Sequence, residues 1–157
     1  MADQVFPMQG GCQCGVCRYE VTSKPFVAYT CHCRACQKMT ASAFLSCMQV
    51  PHEDVRLLSG EPKLAERTAD SGNRLVTSFC AVCGSTLFAH NSARPRVRTV
   101  HIGSLDDPAS LGVSAHIWVS HKLPWVVLPA GDRVFERGGD WTYDYKRDPT
   151  RYHEKDG

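Results

Sequence analysis

Arg74-Leu-Val-Thr-Ser-Phe-Cys-Ala-Val-Cys-Gly-Ser-Thr-Leu-Phe-Ala89 decides how the rest of this chain is read. Two runs rich in β-branched and aromatic residues, Arg74–Phe79 and Ser85–Ala89, bracket a Cys80-x-x-Cys83 pair, and Gly84 supplies the backbone freedom of a sharp turn. Similar short runs recur outward from it, at Arg18–Thr22, Phe26–Cys31, Ala43–Val50, Val55–Leu58, Val97–Ile102, Val113–Val119 and Trp125–Leu128. Prolines 25, 51, 62, 95, 108, 124 and 129 fall between these runs or at their edges, where a missing backbone donor is tolerated. Apolar residues at helical spacing never persist, so only Arg34–Thr40 and Asp107–Leu111 are expected to form a turn or two of helix. The chain reads as mostly β.

Length and charge narrow the class. At 157 residues, 43% of them hydrophobic, the chain suits one domain. A formal net charge of +2 gives no strong attraction to nucleic acid or anionic lipid. The opening residues lack a basic start and an apolar stretch, and no later run spans a bilayer, so the expected setting is soluble and cytoplasmic. Nine cysteines, an odd number in a reducing compartment, match a disulfide framework poorly and point to clustered thiolates holding metal.

The cysteines sort by spacing into Cys12-x-Cys14, Cys17, Cys31-x-Cys33-x-x-Cys36, Cys47 and Cys80-x-x-Cys83. Residues two apart on a strand share a face, and a Cys-x-x-Cys turn likewise aims two sulfurs at one point. Cys12, Cys14, Cys80 and Cys83 would make a closed tetrahedral four-thiolate site, the usual arrangement of structural zinc, joining distant parts of the chain. Cys31, Cys33 and Cys36 would leave one tetrahedral position open, the mark of a catalytic metal. Cys17 and Cys47 lie in apolar alternating runs and read as small buried hydrophobes.

Other chemistries fit less well. A redox Cys-x-x-Cys lacks its βαβ context, none of the pairs is followed by a haem-attaching His, and no spacing matches a ferredoxin. A nucleic-acid finger fails because His116 and His121 lie far beyond Cys83, and Arg94-Pro-Arg-Val-Arg98 has no stacking aromatics. His32, between two candidate ligands, is turned away from the metal they share and is expected beside the site or at the surface, while His52, His90 and His153 carry no signal. No repeat, phosphate loop, His-Glu-x-x-His or nucleophile elbow is present in the sequence, which leaves the chemistry to the cysteines.

At these motifs the chain resembles the glutathione-dependent formaldehyde-activating enzyme family, which includes the centromere protein V type of zinc domain. The resemblance rests on Gly10–Glu20, Cys31–Lys38 with Ser42-Ala-Phe44, Phe79–Ser85, Gly103–Pro108 and His116–Trp125. It covers about residues 9–136 and leaves 137–157 as a polar extension, in which Trp141, Tyr143 and Tyr145 alternate as a docking strand would. It implies several coiled antiparallel sheets of β-tent type stapled by two zinc ions. Cys12, Cys14, Cys80 and Cys83 would hold the structural ion, and Cys31, Cys33 and Cys36 the catalytic one. Two positions depart from the family pattern: Cys17 stands where an aliphatic residue is usual, and Ala41 where a Gly is common.

The function so implied is that of a zinc-dependent carbon–sulfur lyase or synthase of the S-(hydroxymethyl)glutathione synthase type. It would act on an adduct of glutathione, or another thiol, with formaldehyde or a related carbonyl. Such a thiol, bound at the open position of the second zinc, would ionise and attack the carbonyl carbon. His116, Trp118, Lys122 and Trp125 are the expected pocket residues for the small-molecule thiol and carbonyl. The alternative is a non-catalytic zinc module, serving as a thiol-adduct carrier or a protein-interaction scaffold.

Overall fold

A computed structural model describes residues 4–138, which contain eleven strands and one α-helix. In chain order these are β1 (Met8–Gly11), β2 (Arg18–Val21), β3 (Val27–Cys31), α1 (Arg34–Thr40), β4 (Leu45–Pro51), β5 (Val55–Ser59), β6 (Lys63–Thr68), β7 (Arg74–Phe79), β8 (Thr86–Asn91), β9 (Val97–His101), β10 (Ala115–Ile117) and β11 (Arg133–Val134). The chain divides into a larger unit, residues 4–25 and 47–112, and a smaller one, residues 26–46 and 113–138, within the described part. No helix among the described residues is long and apolar enough to cross a membrane.

In the larger unit β1, β2 and β5 form an antiparallel sheet. A second antiparallel ladder runs β4-β9-β8-β7-β6. Alternation buries Tyr19 and Val21 of β2, and Met48, Val50, Leu87 and Val100 of the ladder. The Tyr19 ring meets Phe88 edge-on at 5.5 Å, and its hydroxyl bonds Ser104 Oγ at 2.6 Å. Gly10 in β1 is required by close approach, since a Cβ there would sit 2.6 Å from the Ser104 carbonyl oxygen.

The smaller unit departs from the antiparallel expectation. Here β10 runs parallel to both β3 and β11, with Thr30 opposite His116 and Ala115 opposite Arg133. Hairpins dictate antiparallel pairing between neighbours in sequence, but β3 and β10 are too distant in the chain for that constraint. Val27, Tyr29, Leu45, Ala115, Ile117 and Val126 fill this unit's interior.

Three strands escape the sequence reading. All of β6 is exposed, so pairing with β7 makes it a strand and no apolar alternation marks it. β1 is half glycine, and β11 has only two residues. Conversely, Trp125–Leu128 is no strand: Pro124 and Pro129 confine it, Val126 N–H closes a turn on Leu123 O, and Val127 stands exposed. The two expected helical turns appear as α1 and a 3₁₀ turn at Pro108–Ser110. Trp141, Tyr143, Tyr145 and His153 lie outside the described residues.

Candidate metal centres

The four cysteines of the larger unit converge from two turns. β1 delivers Cys12, whose N–H and O bond the chain at Cys17 O and Gly15 N, turning Cys14 back towards it. β7 ends at Phe79, one residue before Cys80, and Gly84, at φ +77°, donates to Cys80 O at 2.8 Å. The Gln13 N–H reaches Ser85 Oγ at 3.1 Å, tying one turn to the other. The pair Cys12-x-Cys14 therefore shares a face through a turn and not, as its spacing suggests, along a strand.

The sulfur geometry fits a tetrahedral ion. Cys12 and Cys14 sulfurs lie 3.5 Å apart, Cys14 and Cys80 sulfurs 3.8 Å, and all four lie within 4.8 Å of one another. Metal–sulfur bonds of about 2.3 Å in a tetrahedron place sulfurs about 3.8 Å apart. Bonds from Ser85 pull the Cys83 thiol down to about 5. Cys17 is also at this site: its N–H donates to Cys12 Sγ at 3.2 Å, while burial and the Cys80 and Cys12 sulfurs push its own thiol up to about 11. It and Cys47 are 1% exposed, the small buried residues their surroundings predict.

The second cluster is local and lies in the smaller unit. Cys31 closes β3, Cys33 caps α1 by accepting from Cys36 N–H at 3.3 Å, and Cys36 lies in the helix's first turn. Their three sulfurs lie within 4.8 Å of one another. Crowding against Cys33 pushes Cys31 up to about 12, and Cys31 and Cys33 push Cys36 higher still. Thiols that resist ionising because other thiolates crowd them are suited to a soft cation, which removes the repulsion. This donor set fits zinc with one position left for an outside ligand.

Around this cluster the unit is unusually polar inside. His32, fully buried and held neutral by a burial shift down to about 4, bonds Thr30 Oγ1 at 2.9 Å, so it is interior and not a surface group. His116 bonds Thr30 at 2.6 Å and Asp132 at 2.8 Å. Trp118 stacks near His121 at 5.8 Å with a left-handed backbone, φ 57°, and the Lys122 ammonium is spent on the carbonyls of Val126 and Leu123. Of the four expected pocket residues only Trp125 lines the open groove beside α1, together with Arg34, Gln37, Lys38, Ala41 and Leu123. The groove is about 520 Å³. Sequence reading missed Arg34, Lys38, Thr30 and Asp132; the first two were legible as i, i+4 cations on one face of the helix that carries Cys36, whereas nothing local marks Asp132.

Comparisons follow the same motifs. A family model described as glutathione-dependent formaldehyde-activating enzyme matches residues 7–121. No curated protein matches the chain. Among solved structures, the crystal structure of a Rhodobacter sphaeroides protein is similar in fold, with a TM-score of 0.52 at 20% identity, covering 82% of this chain and 99% of that one.

Proposed function

Because this chain belongs to the glutathione-dependent formaldehyde-activating enzyme family, we propose that it joins a carboxylate-bearing thiol such as glutathione to formaldehyde or a related carbonyl, and runs the reverse cleavage. The observation that carries the reading is the three-thiolate cluster, whose donor set leaves one ligand position for an outside thiol, and the helix that carries Cys36 presents a cationic groove on another face.

In this reading Cys31, Cys33 and Cys36 hold a zinc ion, which when bound lowers the pKa of an incoming thiol and keeps it at the site. The chain's own residues do the rest. Arg34 and Lys38, one helical turn apart on α1, face the groove that Trp125 walls, and no acidic residue among the described ones lines it. That charge pattern suits the carboxylates of a peptide thiol. Gln37, buried on the same helix, donates to His32 O and His121 O, which holds α1 still while substrate binds. The reaction forms a bond between the thiol sulfur and the carbonyl carbon, and the proton lost by sulfur ends on the former carbonyl oxygen. Oxidation states balance without a co-reactant.

The test is the rate of S-hydroxymethylglutathione formation by the zinc-loaded protein. Turnover above the spontaneous rate is expected, with Arg34→Ala and Lys38→Ala each raising KM for glutathione about tenfold while leaving KM for 2-mercaptoethanol unchanged. No acceleration by a protein that holds two zinc ions would sink the enzymatic reading and favour the carrier or scaffold.

A further inference from the structure

We propose that Asp132, acting through His116 and Thr30, orients His32, and that His32 is the positioning residue of the three-thiolate cluster. This inference rests on reading that cluster as a metal site.

Proton bookkeeping sets the direction of the chain. The Asp132 carboxylate only accepts, so its 2.8 Å bond is donated by His116 Nε2–H. His116 Nδ1 lies 2.6 Å from the Thr30 hydroxyl, which donates to it in this direction of the chain. That uses the hydroxyl's single proton, so Thr30 Oγ1 accepts the 2.9 Å bond from His32 Nε2–H. An independent observation agrees. His32 Nδ1 is buried without a partner among the described residues, and the opposite direction would make it a buried N–H donor with none of them to bond, the costlier kind of orphan.

The end of this chain sits on the residue between two ligands. His32 N–H donates to Ile117 O at 3.0 Å, its carbonyl accepts from Gln37 Nε2 at 2.8 Å, and its ring is held by Thr30 and packs on Phe44 at 5.1 Å. Both peptide groups that flank Cys31 and Cys33 are thus pinned, and rotation of either would move a sulfur off the shared point. Thr30, His32, Gln37 and His116 are all nearly inaccessible to solvent. Polar groups so buried weaken a small unit unless every bond is made, which makes this network a precise brace. Hydrogen-bonded groups that orient metal ligands from outside the ligand set are a general device, and losing one costs about 10- to 100-fold in metal affinity.

The experiment uses the full chain, zinc alone as the probe, chelator competition for each site, and long-range 1H–15N correlation of the histidines at pH 8. Wild type is expected to bind two zinc ions and to show His32 and His116 protonated at Nε2. Thr30→Val and Asp132→Ala should each lose the single His32 tautomer and weaken the second zinc at least tenfold. Thr30→Ser, which keeps the hydroxyl, should retain both. Zinc kept by the four-thiolate site in every variant reports that the larger unit has folded, and an unchanged near-ultraviolet circular dichroism spectrum reports the same of the smaller one. If Thr30→Val and Asp132→Ala both hold the second zinc as tightly as wild type, the positioning role is overturned. If wild-type His32 carries its proton at Nδ1, the direction of the chain is overturned. Uptake of a single zinc by wild type overturns the metal reading and the positioning role together, while the tautomer assignment is judged separately.

Discussion

The two thiolate clusters are built from the same atom in opposite ways. In the larger unit four sulfurs come from turns whose contacting members are 66 residues apart, and they complete a tetrahedron. In the smaller unit three sulfurs come from residues 31–36 and complete nothing. Closing a long loop with metal adds free energy to the folded state alone, which suits the first cluster to holding the fold. Three local ligands close almost no loop, so a metal there would add little stability and would keep a position for an outside ligand. On the proposed reading, where the ligands lie along the chain, more than what they are, would separate the roles.

The largest test of that division is a pair of substitutions. A structural zinc site supplies about 10–16 kcal/mol, comparable with the whole stability of a domain, so Cys80→Ser should leave the larger unit unfolded by circular dichroism and without a melting transition. Cys33→Ser should give a folded protein that melts within a few degrees of wild type and holds one zinc fewer by elemental analysis. Equal melting of the two variants would erase the contrast.

A second test asks how far the larger unit depends on more than its metal. Burial depresses His101, 3% exposed in β9 and bonded to Thr86, to about 4. The unfolded chain takes up this proton near pH 6.5 and the folded one only near 4, so stability should fall as pH drops through that window, by roughly 3 kcal/mol in all. His101→Asn should flatten the pH dependence of Tm between 6.5 and 4 with excess zinc present. A slope unchanged from wild type would assign the acid sensitivity to the thiolates instead.

The smallest effect belongs to the helix that carries Cys36. Ala41 caps α1 in the left-handed region, φ 48° and ψ 41°, where a side chain is strained and glycine is not. Ala41→Gly should raise stability by about 1 kcal/mol in chemical denaturation, with zinc stoichiometry unchanged. A loss of stability would mean that the cap is held by packing of the Ala41 methyl group.

Legibility in the sequence followed the range of the interaction. The motif cysteines, the helix Arg34–Thr40 and most strands were visible, because spacing and alternation are local properties. β6 was not, since a wholly exposed strand exists only through its partner, and Trp125–Leu128 misled because composition suited a strand that its flanking prolines forbid. His32 was correctly turned away from the shared sulfurs, yet its burial and its link to Asp132 depend on residues about a hundred positions away.

By itself, then, the sequence determined which sulfurs could act together, since ligand spacing is written in consecutive residues. Tertiary structure alone decided two further things: that β3 and β10 run parallel, and that a buried hydrogen-bonded chain ends on the peptide between Cys31 and Cys33. Those are contacts between distant segments, and only packing the chain against itself selects them.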